Sequence, residues 1–312
     1  MQTLLDPQTL SDSTMQDQIN ASHLCSYRKN GFLVHEGAFS PPQIQALCEE
    51  TLRLCRGERG QIPRHDGGPV ENTEHALDDE VLKRFLCIHF PHKISATMRH
   101  AITQDKIVQD LSGIIGPNVK CMQSMLFIKA AGKPGQAWHQ DEIYIPTRDR
   151  SLTGAWIAMD DATVENGCLW VIPGSHSHGI LWEQHAHNDK RFDCANETFG
   201  YPYSDSDAVP VQVKAGSVVF FNGYLLHRSL PNLATKGTRR ALVNHYMSAE
   251  SLLPWTTTKP TDLKPGSSVA GADDRDIIMV CGKDPYAYKG IENNHSVGIR
   301  PSGEGGCSKG KE

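Results

Sequence analysis

The chain lacks an excess of positive charge. Its 31 Lys and Arg are outnumbered by 36 Asp and Glu, a net charge of -5, so it carries no basic footprint for nucleic acid or an anionic membrane surface. It has no apolar run approaching the ~20 residues that a membrane-spanning helix needs. It has no Cys-x-x-Cys pair: the nine cysteines, at 25, 48, 55, 87, 121, 168, 194, 281 and 307, are scattered, which excludes a zinc ribbon or a dithiol redox motif. The first residues, MQTLLDPQTLSDSTMQDQIN, lack the basic start and apolar centre of a secretory leader and the arginines of a mitochondrial one. The ending SKGKE is not a Ser-Lys-Leu address. An odd number of cysteines without a secretory leader fits reduced thiols, and the expectation is a cytoplasmic protein. No internal repeat is present.

What is present is an ordinary globular composition, 38% hydrophobic and 21% charged over 312 residues, enough for one sizeable core. Residues 1–20 read as a polar, flexible arm, 21–290 as a single domain with its core at about 120–250, and 300–312 as a disordered tail. GFLVHEGAF, within 27–39, reads as a strand between glycines. Ser40 followed by Pro41 and Pro42 opens a helix. Ile44, Leu47, Cys48, Thr51, Leu54 and Cys55 recur at helical spacing, and Arg56-Gly57 should end it. Residues 57–79 mix Gly, Pro and charge as a loop, and 92–112 read as a second helical region ended by Gly116-Pro117. From Lys120 onward the pattern changes to seven or eight short strands bounded by Gly, Pro, Asn or Asp, the rhythm of a β-sandwich or barrel. A polar insert at 178–210 interrupts them and is placed to cover the mouth. DIIMVCG near 280 is one further strand.

Inside this β-rich stretch stand His139-x-Asp141 and a distant His227. In a strand, i and i+2 share a face, so His139 and Asp141 can grip one ion. Two imidazoles and one carboxylate occupy one face of an octahedral metal and leave the other open, the arrangement of non-haem Fe(II) oxygenases. With 15 histidines in the chain, the plainer reading is a hydrogen-bonded core histidine beside a turn aspartate. The surroundings favour the metal. Ser229 shares a strand face with His227. Arg239 follows His227 by twelve residues, past PNLATKG, so a hairpin would bring it back alongside. An Arg there can hold a carboxylate in two-pronged fashion. An iron site beside a carboxylate clamp is a design for 2-oxoglutarate. Arg240 would face outward into solvent.

These residues sit in blocks that resemble the phytanoyl-CoA dioxygenase (PhyH) family of Fe(II)/2-oxoglutarate-dependent oxygenases. The resemblance runs from about Gly31 to Met247. It is densest in QSMLFIK at 123–129, in HQD followed by GAWIAMDDATVENGCLWVIPGSH, and in Leu226-His227-Arg228-Ser229 with Arg239-Arg240-Ala241. It implies a mainly β fold, a double-stranded β-helix (a cupin-like jelly-roll barrel) with flanking N-terminal helices. It implies Fe(II), 2-oxoglutarate and O2, with His139, Asp141 and His227 on the iron and Ser229 and Arg239 on the co-substrate carboxylate. Trp156, Met125 and Lys93 match further co-substrate contacts, with Lys129 a competing lysine. Related halogenating enzymes carry Ala or Gly where this chain has Asp141, so the resemblance implies a hydroxylase.

The substrate is expected to be a small polar or carboxylate-bearing molecule, with no nucleic acid or membrane as partner. Glu142, Tyr144, Arg148 and Arg228, with Lys133, are candidate contacts near the mouth, although surface charge is the plainer reading of each. No Lys/Arg cluster is dense enough to argue for the phosphates of CoA. His176 and His178 follow Pro-Gly and read as a turn, and His185 and His187 as solvated. Ser177 fails the Gly-x-Ser-x-Gly pattern because Ser175 stands first. A cupin-like metal hydrolase or isomerase, and a silent 2-oxoglutarate-binding sensor, are the readings from other classes.

Overall fold

The computed structural model describes residues 21–65, 67–68, 73, 75–193, 196–251, 275, 277–291, 293 and 295–301. The arm expected over 1–20, and all of the tail expected over 300–312 except Arg300 and Pro301, lie outside them. No described helix is long and apolar enough to cross a membrane.

Helix α1 (21–30) turns through Gly31, whose φ of +82° needs a residue without Cβ, into β1 (Phe32–His35). Helix α2 (Pro41–Cys55) starts as its sequence dictates: Gln43 reaches back to accept from the Ser40 backbone N–H at 2.8 Å, and the prolines occupy the first turn. It stops at Arg56. Helix α3 (Asp78–Lys83) and strand β2 (Phe85–His89) follow. The continuous helical region expected over 92–112 is instead two helices, α4 (Ala96–Ile102) and α5 (Asp105–Ile114). Ser95 caps α4, and Gln104 caps α5 by accepting from the N–H groups of Lys106 and Ile107. The second cap breaks the run.

The remaining strands are β3 (Val119–Ala130), β4 (Gln136–His139), β5 (Thr153–Ala158), β6 (Leu169–Val171), β7 (Gln184–His185), β8 (Glu197–Thr198), β9 (Val209–Val211), β10 (Val218–Asn222), β11 (His227–Ser229), β12 (Thr238–Ser248), β13 (Ile278–Cys281) and β14 (Gly298–Pro301). They form an antiparallel eight-stranded sheet in the order β1-β10-β5-β12-β3-β2-β14, with β13 also on β3. A four-stranded sheet runs β4-β11-β6-β9, and β7 and β8 make a small ribbon. This corrects the expected double-stranded β-helix barrel. Among the described residues no sheet closes on itself; the large one ends at β1 and β14, the small one at β4 and β9. The fold is mixed α/β, with several open sheets and a helical layer. Strand rhythm reports how many strands there are, whereas closure depends on which edges bond, and no local pattern encodes that.

Two-residue alternation gives each face of the large sheet its own task. One face, with Leu126, Ala155, Ile157, Phe220, Leu242 and Tyr246, packs under Ile44, Leu47, Leu54, Met98, Ile107 and Leu111 of the helices. The other, with Trp156, Phe221, Ala241 and Val243, packs against Leu169 and Val171 of the small sheet and against Leu225. On β12 the odd-numbered residues from Arg239 to His245 therefore face the small sheet. The site lies between the sheets.

Gly135, just before β4, lies so close to β11 that a Cβ on it would sit 1.8 Å from the Ser229 carbonyl oxygen. Backbone cannot yield as a side chain does, so Gly135→Ala is expected to destabilise the fold by at least the ~1–3 kcal/mol typical of overpacking. A urea midpoint unchanged from the parent would contradict that close approach.

Candidate metal centre

The centre starts from one strand pair. β4 and β11 run antiparallel with His139 directly opposite His227, ring centroids 4.1 Å apart. Asp141 does not continue the strand as expected. It opens a one-turn helix, Asp141–Ile143, after Gln140. Gln140 anchors that turn: its amide donates to the carbonyls of Ile180 and Tyr224 and accepts from the Trp182 N–H. The turn brings Asp141 Oδ1 to 3.7 Å from Nε2 of both His139 and His227. The second carboxylate oxygen is engaged from the opposite sheet, where His245 of β12 donates from Nε2 at 2.9 Å.

Each imidazole has its other nitrogen occupied. His139 Nδ1 lies 2.8 Å from the Ala137 carbonyl and His227 Nδ1 2.9 Å from that of Leu225. A carbonyl only accepts, so both Nδ1 atoms carry the proton and both Nε2 lone pairs face Asp141. Burial, reinforced by the neighbouring His227, pushes His139 down to about 4, so it is neutral near pH 7. Burial alone would raise the Asp141 carboxyl, but the charges of His227 and His245 and the His245 hydrogen bond outweigh it and hold it well below the usual carboxylate range. Two imidazoles that each present Nε2 and an ionised carboxylate, one ligand atom from each within 4.8 Å of the others, fit a divalent transition metal. The three residues also line a cavity of about 710 Å³ between the sheets, which leaves the far side of such an ion accessible.

In the same cavity stand two buried basic side chains. Arg239 is 3% exposed. Its guanidinium donates from Nη2 to the Gly167 carbonyl at 3.1 Å and lies 5.2 Å over Trp156. Burial draws it down to about 10, so it keeps its charge. Lys129 stands opposite it on β3. Its ammonium donates to Ser229 Oγ at 2.9 Å and to the Leu230 carbonyl at 2.7 Å. Burial, with the Arg239 charge, pulls Lys129 well below its ordinary value. Among the described residues no carboxylate pairs with either. Arg240, expected to be solvated, does point to the opposite face but forks onto Asp160 at 2.7 and 2.8 Å.

Trp156, Met125, Ser229 and Tyr144 line the cavity. Lys93 does not; its ammonium donates to the Asn293 side chain and the His295 carbonyl. Glu142 is buried beneath the turn, bonded by Thr147 at 2.6 Å through both N–H and hydroxyl, and burial pushes its carboxyl up to about 7. Arg148 is exposed outside the cavity. Arg228 pairs with Asp205 and stacks on Trp138 at 4.5 Å. The residues that sequence reasoning passed over are His245, which alternation along β12 places on the face of Arg239, and a far wall that includes His65, His89, Arg275, His295 and Arg300. Those five come from segments that no motif singled out.

His245 is a supporting residue of the ligand set, and its removal frees Asp141 to turn away. His245→Ala is expected to weaken Co(II) or anaerobic Fe(II) binding by about 10–100-fold, as second-layer hydrogen bonds to metal ligands do elsewhere. An unchanged dissociation constant would show the bond to be incidental.

Comparison with known proteins places this geometry in a family. The profile for phytanoyl-CoA dioxygenase (PhyH) matches residues 27–241. A phytanoyl-CoA dioxygenase of Arabidopsis thaliana is 38% identical over 135 residues, 41% of this chain but only 44% of that protein. Phytanoyl-CoA dioxygenase 1 of rice, Oryza sativa subsp. japonica, is 39% identical over 249 residues, 71% of this chain and 86% of the relative. Among solved structures, the epimerase SnoN in complex with Fe3+, alpha ketoglutarate and nogalamycin RO shares the fold at a TM-score of 0.59 and 19% identity, over 86% of this chain and 98% of that one. The expected cytoplasmic location does not stand, because human, bovine and rat relatives at 28–30% identity are each named peroxisomal. With a profile match over more than half its length and a rice relative aligned over most of both chains, the protein belongs to the phytanoyl-CoA dioxygenase (PhyH) family and is an enzyme of the non-haem iron dioxygenase type.

Proposed function

We propose that this enzyme is a 2-oxoglutarate-dependent hydroxylase that oxidises an aliphatic C–H bond of a small polar or carboxylate-bearing metabolite, releasing succinate and carbon dioxide. One observation supports the reading: a single cavity holds both the cluster of His139, Asp141 and His227 and the basic pair Arg239 and Lys129, neither of which forms a salt bridge with a carboxylate among the described residues. A dicarboxylate whose keto-acid end reaches the cluster and whose far carboxylate reaches the pair answers both. When bound, iron and 2-oxoglutarate together supply the chemistry of reducing dioxygen and delivering one of its oxygen atoms to the substrate.

The protein's own residues bind, orient and exclude water. His139, Asp141 and His227 hold the iron, and His245 keeps Asp141 aimed. Arg239 and Lys129 take the distal carboxylate, with Ser229 adding a hydroxyl. Lys129 already shares its ammonium with Ser229 Oγ, so the two act as one donor set, and Lys129 fills the role expected of Lys93. Trp156, Leu169, Phe221 and Val243 close the walls around the ligand set with apolar surface. That lowers the local dielectric and strengthens each of these contacts.

The far wall supports a substrate with an acidic or strongly polar group. Arg300 stacks 5.7 Å from the Phe127 ring and pairs with Asp193 at 2.9 Å. Burial, and then the charges of Arg300, His65 and Arg275, drive His89 down to about 3, and these basic side chains can meet such a group. Of the five contacts expected near the mouth, Tyr144 alone lines the cavity.

Anaerobic Fe(II) plus 2-oxoglutarate should give a weak visible charge-transfer band, and succinate should form once oxygen and an accepted substrate are added. Band without succinate across a broad substrate screen would favour the sensor reading. No band would reject the co-substrate. Asp141→Gly is expected to abolish succinate release. Lys129→Met should raise the KM for 2-oxoglutarate about 10–100-fold with a smaller change in kcat, the loss of one charged hydrogen bond. An unaltered KM would remove Lys129 from the clamp.

A further inference from the structure

Outside the cavity, three side chains from three elements meet. His23 comes from α1, His35 from the end of β1 and Asp110 from α5. His35 Nδ1 lies 2.5 Å from one Asp110 carboxylate oxygen and His23 Nδ1 3.4 Å from the other. The two rings are 5.2 Å apart. One ligand atom from each residue lies within 4.8 Å of the others. The Asp110 side chain is 4% exposed, whereas the two imidazoles are 12% and 19% exposed, so an ion can arrive from water.

We propose that His23, His35 and Asp110 form a second metal site, taking a zinc-class divalent cation, that pins α1 to the body of the fold. Two imidazoles with one carboxylate suit Zn(II), Ni(II) or Co(II) rather than Mg(II) or Ca(II), which prefer oxygen throughout. Ligand bonds of ~2.0–2.2 Å in tetrahedral geometry set donors roughly 3.4 Å apart. His23 Nδ1 already stands 3.4 Å from one Asp110 oxygen, and His35 Nδ1, 2.5 Å from the other, has to move back to admit an ion. Three protein ligands leave the fourth position to water. As a purely hydrogen-bonded triad, the His23 contact is long and contributes little. The site is independent of the proposed oxygenase chemistry. Its consequence for the fold is local: the far end of α1 accepts from Gly174 N–H through Asn30 at 2.8 Å, and from His176 through Arg28 at 3.3 Å. The neighbouring Ser175 hydroxyl accepts from Leu226 N–H, next to His227.

Zinc titration by calorimetry on the full chain tests this. The parent protein should bind two equivalents and His139→Ala/His227→Ala one. Adding His23→Ala or His35→Ala to that double variant should abolish the remaining binding. Zinc should raise the Tm of the double variant and lose that effect in the triple. Circular dichroism identifies any variant that fails to fold, and His23→Ala, on the surface helix, is the milder change. A double variant that binds no zinc, or one whose zinc binding survives His23→Ala in a folded triple variant, overturns the site.

Discussion

The antiparallel pairing of β4 with β11 is the constraint on which the centre depends. It sets two imidazoles directly across from each other, their rings tilted by 49°, and backbone carbonyls two residues upstream of each lock the tautomer. Asp141 completes the set only because a tight turn, clamped by Gln140, interrupts the strand at the right residue. His245 then ties that carboxylate to the opposite sheet. One hydrogen bond thus couples the position of the acid to the packing of the two sheets, and a shift between them would be felt at the ligand set.

Electrostatics gives the cavity a direction. Buried cations are costly unless paired, yet Arg239 and Lys129 share carbonyls, a hydroxyl and the Trp156 ring in place of an acid. Arg240, one residue along, shows the ordinary alternative, a two-pronged pair with Asp160 on the other face. Adjacent arginines of one strand thus differ: Arg240 is held by an ion pair and Arg239 by carbonyl and ring contacts inside the cavity.

The open sheets shape the cavity as well. The large sheet supplies a wall that runs from the Arg239 and Lys129 pair past Trp156 and Val243 to His245, and at its β2 and β14 end adds His89 and Arg300, while the small sheet supplies the two imidazoles. The part facing the proposed co-substrate and the part facing the proposed substrate are built from different strands of the large sheet. The substrate wall can therefore differ between relatives without disturbing the iron or 2-oxoglutarate contacts.

Much of this was legible in the chain. Helix α2 follows from Ser40, its prolines and its apolar spacing, because capping and periodicity are local. The pattern His-x-Asp with a later His, Ser and Arg selects the right residue types, since metal and carboxylate chemistry admit few alternatives. The strand argument for Asp141 was mistaken in mechanism, as a turn places it, and a single side chain in a turn has no period to betray it. Strand alternation sets Arg228 on the face opposite His227 and Ser229, but the choice of Lys129 over Lys93, the position of Arg148 and the far-wall residues from distant segments were not legible. Each depends on which distant segment packs alongside. By itself the sequence determined the elements and the chemistry of the ligand set, because helix caps, strand alternation and donor types are written within a few residues of one another. Only the tertiary structure decided that the sheets stay open, which lysine enters the cavity and what lines its far wall, because those outcomes rest on contacts between residues far apart in the chain.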